Sequence, residues 1–212
     1  MRTFRRPRDE TNPSAPSVAQ QTQKNPARPQ NVPQVYAFID SQNLNVGVQK
    51  YGWKMDWRKF RKFLADQYGV TKAYMFIGYV PEFESMYEQL HESGYMIVLK
   101  PTYDMTRPQP ELAEGAEKPS KEDEKPVKGN IDADLVLWAM RELKNYDKAI
   151  LVSGDGDFYS LVEYLAEENK LLKLLAPNQQ FSNLYNKYEQ YVERLDQYKR
   201  DLQYYDHKKK RS

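Results

Sequence analysis

The stretch VYAFIDSQNL, residues 35–44, decides the fold. Its first five residues are apolar, and the run ends abruptly in a carboxylate at Asp40. A strand apolar at consecutive positions is one buried on both faces, as in a parallel sheet covered by helices. An Asp at its end stands at the carboxyl edge of that sheet, where open α/β sheets bind ligands. A second run, AILVSGDGDF (149–158), stops in the same way at Asp155 and Asp157. A third acidic pair, Asp132 and Asp134 in VKGNIDADL (127–135), opens an apolar stretch of helical character.

Working outward, strands are expected over 35–40, 71–80, 95–100, 148–153 and 171–177. Helices are expected between them. Asp56 caps one that runs through Trp57, Phe60, Phe63 and Leu64, at helical spacing. Another covers 82–93 with Phe83, Met86, Tyr87 and Leu90 on one face, ended by Gly94. A third covers 131–143, with Leu135, Trp138 and Ala139 inward, and a fourth covers 158–168. This alternation implies an α/β fold, a mainly parallel sheet covered on both faces. Right-handed crossovers then fix much of the topology. Residues 102–127, with four prolines and the charged run EKPSKEDEK, break the rhythm and are expected to be a mobile loop. A flap over the site is the sharper reading of that loop and a plain insertion the blander one.

The ends differ from the middle. Residues 1–34 are rich in Pro, Gln, Asn and Arg and read as a disordered basic arm. The domain proper is expected over 35–182, a long C-terminal helix over 183–206 and a basic tail over 207–212. In the C-terminal segment Leu184, Tyr188, Tyr191, Leu195, Tyr198, Leu202 and Tyr205 alternate at spacings of four and three, a heptad seam. One reading is a helix that pairs with its twin in a homodimer; the other is a helix lying back across its own domain.

Composition narrows the chemistry. The formal net charge of the 212 residues is +2, with basic segments at both ends of a mildly acidic middle. Such arms suit a phosphate backbone, although short basic tails often only solubilise. There is no cysteine, which excludes disulfides and thiolate metal sites and fits a reducing, cytoplasmic setting. With two histidines, a His-rich zinc site is disfavoured, so any metal is held by oxygen, which points to Mg²⁺ or Mn²⁺. No apolar run approaches the ~20 residues of a bilayer span, and no secretory signal is expected. The 17 tyrosines exceed what base stacking could use and are expected mostly in the core or the seam.

If the first and fourth strands are neighbours where the strand order reverses, Asp40, Asp155 and Asp157 meet across one crevice, and Asp132 joins them if its helix starts there. Crowded carboxylates raise one another's pKa, and a divalent cation relieves that repulsion. The same cation polarises a phosphoryl oxygen and lowers the pKa of bound water. Asn43, read as a turn residue, could contact phosphate or metal through water. Lys128 could neutralise a phosphate. Ser153 ends the fourth strand, and Gly154 and Gly156 let the backbone approach a ligand. The plainer readings are that Asp157 and Asp132 cap helices and that Asp40 is a turn residue. Asp134, about 200° round the helix from Asp132, is expected in solvent.

Together, FIDSQNL (38–44), KGNIDADLVL (128–137) and VSGDGDF (152–158) resemble the NYN domain, a branch of the PIN-like nuclease superfamily, with FIGYV (76–80) and NQQFSNLY (178–185) extending the resemblance over roughly 35–205. The resemblance implies a PIN-like three-layer α/β/α sandwich with a five-stranded sheet. It also implies a metal-dependent nuclease, most often acting on RNA. Carried over by motif, Asp40, Asp132, Asp155 and Asp157 are the catalytic and metal-holding positions, Asn43 belongs to the first segment, and Ser182 matches a recurrent Ser before the last helix. Ser41 stands where many relatives have Gly or Ala, and Trp138 stands about where some carry a further Asp. The reading favoured is a Mg²⁺- or Mn²⁺-dependent ribonuclease, with RNA preferred over DNA and no membrane partner. The alternative is a non-catalytic RNA-binding or regulatory module of the same fold. A small-molecule phosphohydrolase is disfavoured, because Gln42 stands where an Asp-x-Asp at the first strand would need its second acid, and no P-loop occurs.

Overall fold

In a computed structural model, residues 32–101 and 131–206 are described. The expected loop over 102–127, most of the arm over 1–34 and the basic tail lie outside them, as does Lys128. Six parallel strands form one sheet in the order β3-β2-β1-β4-β5-β6. They are β1 (Val35–Asp40), β2 (Val70–Tyr79), β3 (Met96–Pro101), β4 (Lys148–Val152), β5 (Leu171–Ala176) and β6 (Val192–Arg194). The strand order reverses between β1 and β4, which pair in parallel from Val35↔Lys148 to Ile39↔Val152.

Alternation along β1 sorts the core into two layers. Val35, Ala37 and Ile39 face α1 (Ser41–Gln49), α2 (Trp57–Tyr68) and α3 (Glu84–Glu92) through Leu44, Val48, Phe60, Leu64 and Leu90. Tyr36 and Phe38 face the other way, toward α4 (Ile131–Arg141) and α5 (Tyr159–Glu167), through Leu135, Ala139, Leu161 and Leu165. The result is a helix–sheet–helix sandwich. An aromatic cluster supplies much of the second layer: Phe38 stacks on Tyr74 at 5.5 Å, and Tyr74 meets Trp138 at 5.5 Å. Seven of the 17 tyrosines are buried in the core, and Trp138 packs, partly buried, against it.

α1 is a helix where only a turn was expected. Its sequence, SQNLNVGVQ, is a weak helix former, with two Asn, a Gly and two Val. Capping and packing override that propensity. Asp40 accepts from the Asn43 N–H at 3.0 Å, and Leu44, Gly47 and Val48 are buried against the sheet. Gly47 is required by contact: a Cβ there would lie 2.4 Å from the Cβ of Pro177. α2 follows its local signals closely, with Asp56 accepting from the Lys59 N–H at 3.1 Å and Gly69 closing it at φ 67°. α3 is preceded by a short 3-10 turn (Pro81–Phe83), and Gly94 follows it at φ 90°. Of its expected inward face only Tyr87 and Leu90 are buried; Phe83 and Met86 are exposed.

The expected long C-terminal helix over 183–206 is not formed. The segment is instead a 3-10 turn (Asn183–Tyr191) broken at Tyr188, then β6, a second 3-10 turn (Leu195–Tyr198) and the single turn α6 (Lys199–Leu202). The reason lies in where the seam residues go. Tyr188 buries in the layer with α4 and α5, whereas Leu195 and Leu202 bury in the layer with α1 and α2. No straight helix reaches both faces of a sheet, so the chain crosses its edge as a strand. Glu193 fixes that crossing. It accepts from the Tyr68 hydroxyl at 2.8 Å and from the Tyr198 hydroxyl, and pairs with Lys173 at 3.2 Å. The sheet therefore has a sixth strand, and Tyr188, Leu195 and Leu202 of the seam are spent inside their own domain, while Leu184 and Tyr205 are exposed.

This makes a distinguishing prediction. Leu195→Ala should lower the unfolding free energy by about 2–5 kcal/mol, as for other fully buried leucines, and the midpoint in urea should not depend on protein concentration. A concentration-dependent midpoint would restore the intermolecular helix.

Candidate active site

Because β1 and β4 are adjacent, Asp40 at the end of one lies beside Ser153 at the end of the other. Asp40 is 4% exposed, and both its oxygens are engaged. Oδ1 accepts from the Asn43 N–H, and Oδ2 accepts from the Ser153 hydroxyl at 3.2 Å. The Ser153 Oγ in turn accepts from the Asp155 N–H at 3.1 Å. Asn43, in the first turn of α1 rather than in a loop, uses its Oδ1 to accept from the Gly154 N–H at 2.9 Å. The turn after β4 is thereby stitched to the start of α1.

Asp155 is half-buried and caps the short 3-10 turn Gly156–Phe158, its Oδ1 accepting from the Asp157 N–H at 3.1 Å. Asp157 is exposed beyond it, and the start of α5 carries no side-chain cap, so Asp157 is not the helix cap of the plainer reading. Asp132, half-buried in the first turn of α4, and Asp155 both act electrostatically on Asp40. The Asp40 pKa is raised, first by burial and further by those two charges. The hydrogen bonds from Asn43 and Ser153 only partly offset this. Asp132 and Asp155 thus lie near enough to Asp40, at the reversal of strand order, to act on its charge, and Asp157 is exposed two residues beyond Asp155. Asp134 pairs with Lys100 at 2.9 Å instead.

Ser182 does not stand free in the crevice. It braces the acidic turn from outside, its N–H donating to the Gly154 carbonyl at 3.0 Å. Gly156 is needed opposite it, since a Cβ there would approach the Ser182 Oγ to 2.5 Å. Two bracing residues escaped the sequence reading. Tyr185, fully buried, donates its hydroxyl to the Asp155 carbonyl. Asn178, 4% exposed, donates from Nδ2 to the Gly47 carbonyl at 2.9 Å and accepts from the Gln180 N–H at 2.7 Å. Tyr185 falls outside the heptad seam, which runs through its neighbour Leu184, and was covered only as the last residue of NQQFSNLY. Asn178 opens the NQQFSNLY segment of the resemblance, but nothing there marked it as the partner of Gly47.

The donor set is all carboxylate oxygen, backed by an amide and a hydroxyl, which is the chemistry of Mg²⁺ or Mn²⁺. Among the described residues no three Asp, Glu, His or Cys side chains are gathered closely enough to enclose an ion unaided. A cation here would accordingly take part of its shell from water or substrate, as Mg²⁺ commonly does.

A parallel sheet between two helical layers, with acids at its reversal point, defines a PIN-like α/β/α protein. The NYN domain model matches residues 34–196, and the chain belongs to the NYN domain family, within the PIN-like nuclease superfamily. Among curated proteins it is similar to the Low amplitude and bright protein LabA of Synechococcus elongatus, 26% identical over 135 residues. That match covers 60% of this chain and 65% of the relative, just under two thirds of its length. Among solved structures it resembles a Vibrio parahaemolyticus protein of unknown function with a TM-score of 0.57 and 22% identity, covering 81% of this chain and 96% of that one. The structural likeness shows the fold alone.

The raised pKa of Asp40 has a sign that can be checked. A carboxyl whose pKa is higher in the folded than in the unfolded chain destabilises the fold when it ionises. The penalty is absent below the unfolded value and grows as pH rises through the folded one. Asp40→Asn should therefore raise the melting temperature by a few degrees at pH 7 without divalent cations, and the gain should shrink as pH falls toward 4. A variant less stable than wild type at neutral pH would contradict the electrostatic account.

Proposed function

We propose that this protein is a Mg²⁺- or Mn²⁺-dependent nuclease that hydrolyses phosphodiester bonds, in RNA by preference, in the cytoplasm. The observation that carries the reading is the convergence of Asp40, Asp132 and Asp155 at the β1–β4 reversal, with Asp40 ionising against burial and two like charges. Asp40, Asp132, Asp155 and Asp157 would hold the cation. When bound, it would neutralise the carboxylates, polarise the scissile phosphate and make water more acidic. The chain's own groups do the positioning. Asn43 has committed its Oδ1 to Gly154, which leaves its Nδ2 donors for a phosphate oxygen. Lys128, by its place in the sequence, would offset phosphate charge. Ser153 holds Asp40 and the Asp155 backbone through one hydroxyl, so the two acids keep a fixed relation.

One observation favours the second reading, a non-catalytic RNA-binding module: among the described residues no three acids are gathered closely enough to enclose an ion. The two readings separate in a single assay. A labelled single-stranded RNA is incubated with wild type or Asp155→Asn in Mn²⁺, Mg²⁺ or EDTA. The nuclease reading expects cation-dependent product that falls about a hundredfold or more in the variant, the scale for loss of a group that stabilises a transition state electrostatically. RNA affinity should be largely retained. Salt-sensitive binding without product in any lane would favour the binding module.

A further inference from the structure

The segment just after β5 is built around the acidic turn in a way that capping and core packing do not require. Three contacts converge on residues 154–156 from this side. The Ser182 N–H bonds the Gly154 carbonyl, the Ser182 side chain fills the space that Gly156 leaves open, and the Tyr185 hydroxyl bonds the Asp155 carbonyl. From the opposite side Asn43 takes the Gly154 N–H and Ser153 takes the Asp155 N–H. Every polar backbone contact named here falls on the two residues at Gly154 and Asp155, within a turn that carries two of the four acids.

We infer that Tyr185 is a positioning residue for the acidic site, one that fixes the peptide after Asp155 and through it the direction of the Asp155 carboxylate. The inference rests on the nuclease reading of the same site. Tyr185 suits the part. Its ring is fully buried in the core cluster that also holds Phe158, Leu161 and Tyr188, so the hydroxyl has a fixed origin. The peptide it holds leads directly to the Asp157 N–H that bonds Asp155 Oδ1, so backbone and carboxylate are set together. A hydroxyl outside the coordination sphere that orients a ligand typically changes metal affinity or activity by about 10- to 100-fold.

The test compares two tyrosine-to-phenylalanine variants. Tyr185→Phe loses the bond to Asp155. Tyr95→Phe loses an equally buried hydroxyl bond, to the Trp57 carbonyl at 2.7 Å, in the layer away from α4 and α5. Mn²⁺ affinity is measured by titration calorimetry, with RNA turnover at saturating Mn²⁺, at a temperature where both variants are folded. Tyr185→Phe is expected to weaken Mn²⁺ binding about tenfold and lower kcat with KM for RNA little changed, while Tyr95→Phe moves neither. Gly156→Ala, which drives Ser182 off the turn, should move Mn²⁺ affinity in the same direction. Unchanged affinity and turnover in Tyr185→Phe would overturn the inference, as would an equal loss in Tyr95→Phe. A wild type that binds no Mn²⁺ and cleaves no RNA would overturn the nuclease reading itself, and this inference with it.

Discussion

The hydrogen bond between Ser153 and Asp40 ties the rest of the structure together. It spans the one place in the sheet where strand order reverses, and it can form only if β1 and β4 are neighbours in the observed register. Everything acidic is arranged around it. The same serine oxygen receives the Asp155 N–H, and the other Asp40 oxygen starts α1. A sheet edge that would otherwise be a row of loose turns becomes a bonded network running from α1 to the turn after β4. The arrangement places a carboxylate where burial opposes its charge, and the local bonds recover only part of that cost. Functional sites commonly keep such unfavourable groups where the surrounding fold over-determines them.

Much of this was legible in the chain. β1 was readable because five consecutive apolar residues ending in Asp admit few other interpretations, whereas the reversal point between β1 and β4 was a supposition that the strand order supports. α2 was readable from Asp56 and from the spacing of Trp57, Phe60, Phe63 and Leu64, which state its start and its apolar face locally. That Asp40, Asp132 and Asp155 would stand near one another was legible only conditionally, on β1 and β4 being neighbours and on the Asp132 helix starting beside them; the pairing of β1 with β4 meets the first condition. What was hidden depended on partners distant in sequence. α1 is made of poor helix formers and exists because Asp40 caps it and Pro177 presses on Gly47. No window of nine residues contains that information.

The C-terminal segment shows the opposite failure, a local pattern that was too persuasive. Spacings of four and three placed Tyr188, Leu195 and Leu202 on one stripe of a notional helix. In the fold they divide between two cores, because the chain must cross the sheet edge between them. Glu193 marks the crossing: a carboxylate that gathers two tyrosine hydroxyls and a lysine would have been conspicuous only if those partners, from α2, β5 and the turn beyond, had been known. Periodicity reports which residues are apolar. It does not report how many surfaces they share.

The crossing strand is only three residues long, yet it occupies the flank of β5. Parallel strands rich in leucine make adhesive borders, since their free amides and carbonyls accept any extended chain that arrives. Here the border is closed by the protein's own last strand, held by a carboxylate rather than by area. A chain cut before Val192 would keep the acidic crevice and most of both cores, but would present LLKLLA as an open margin. Such a shortened protein should be harder to keep in solution than to fold, so the last fifteen described residues serve colloidal behaviour as much as architecture.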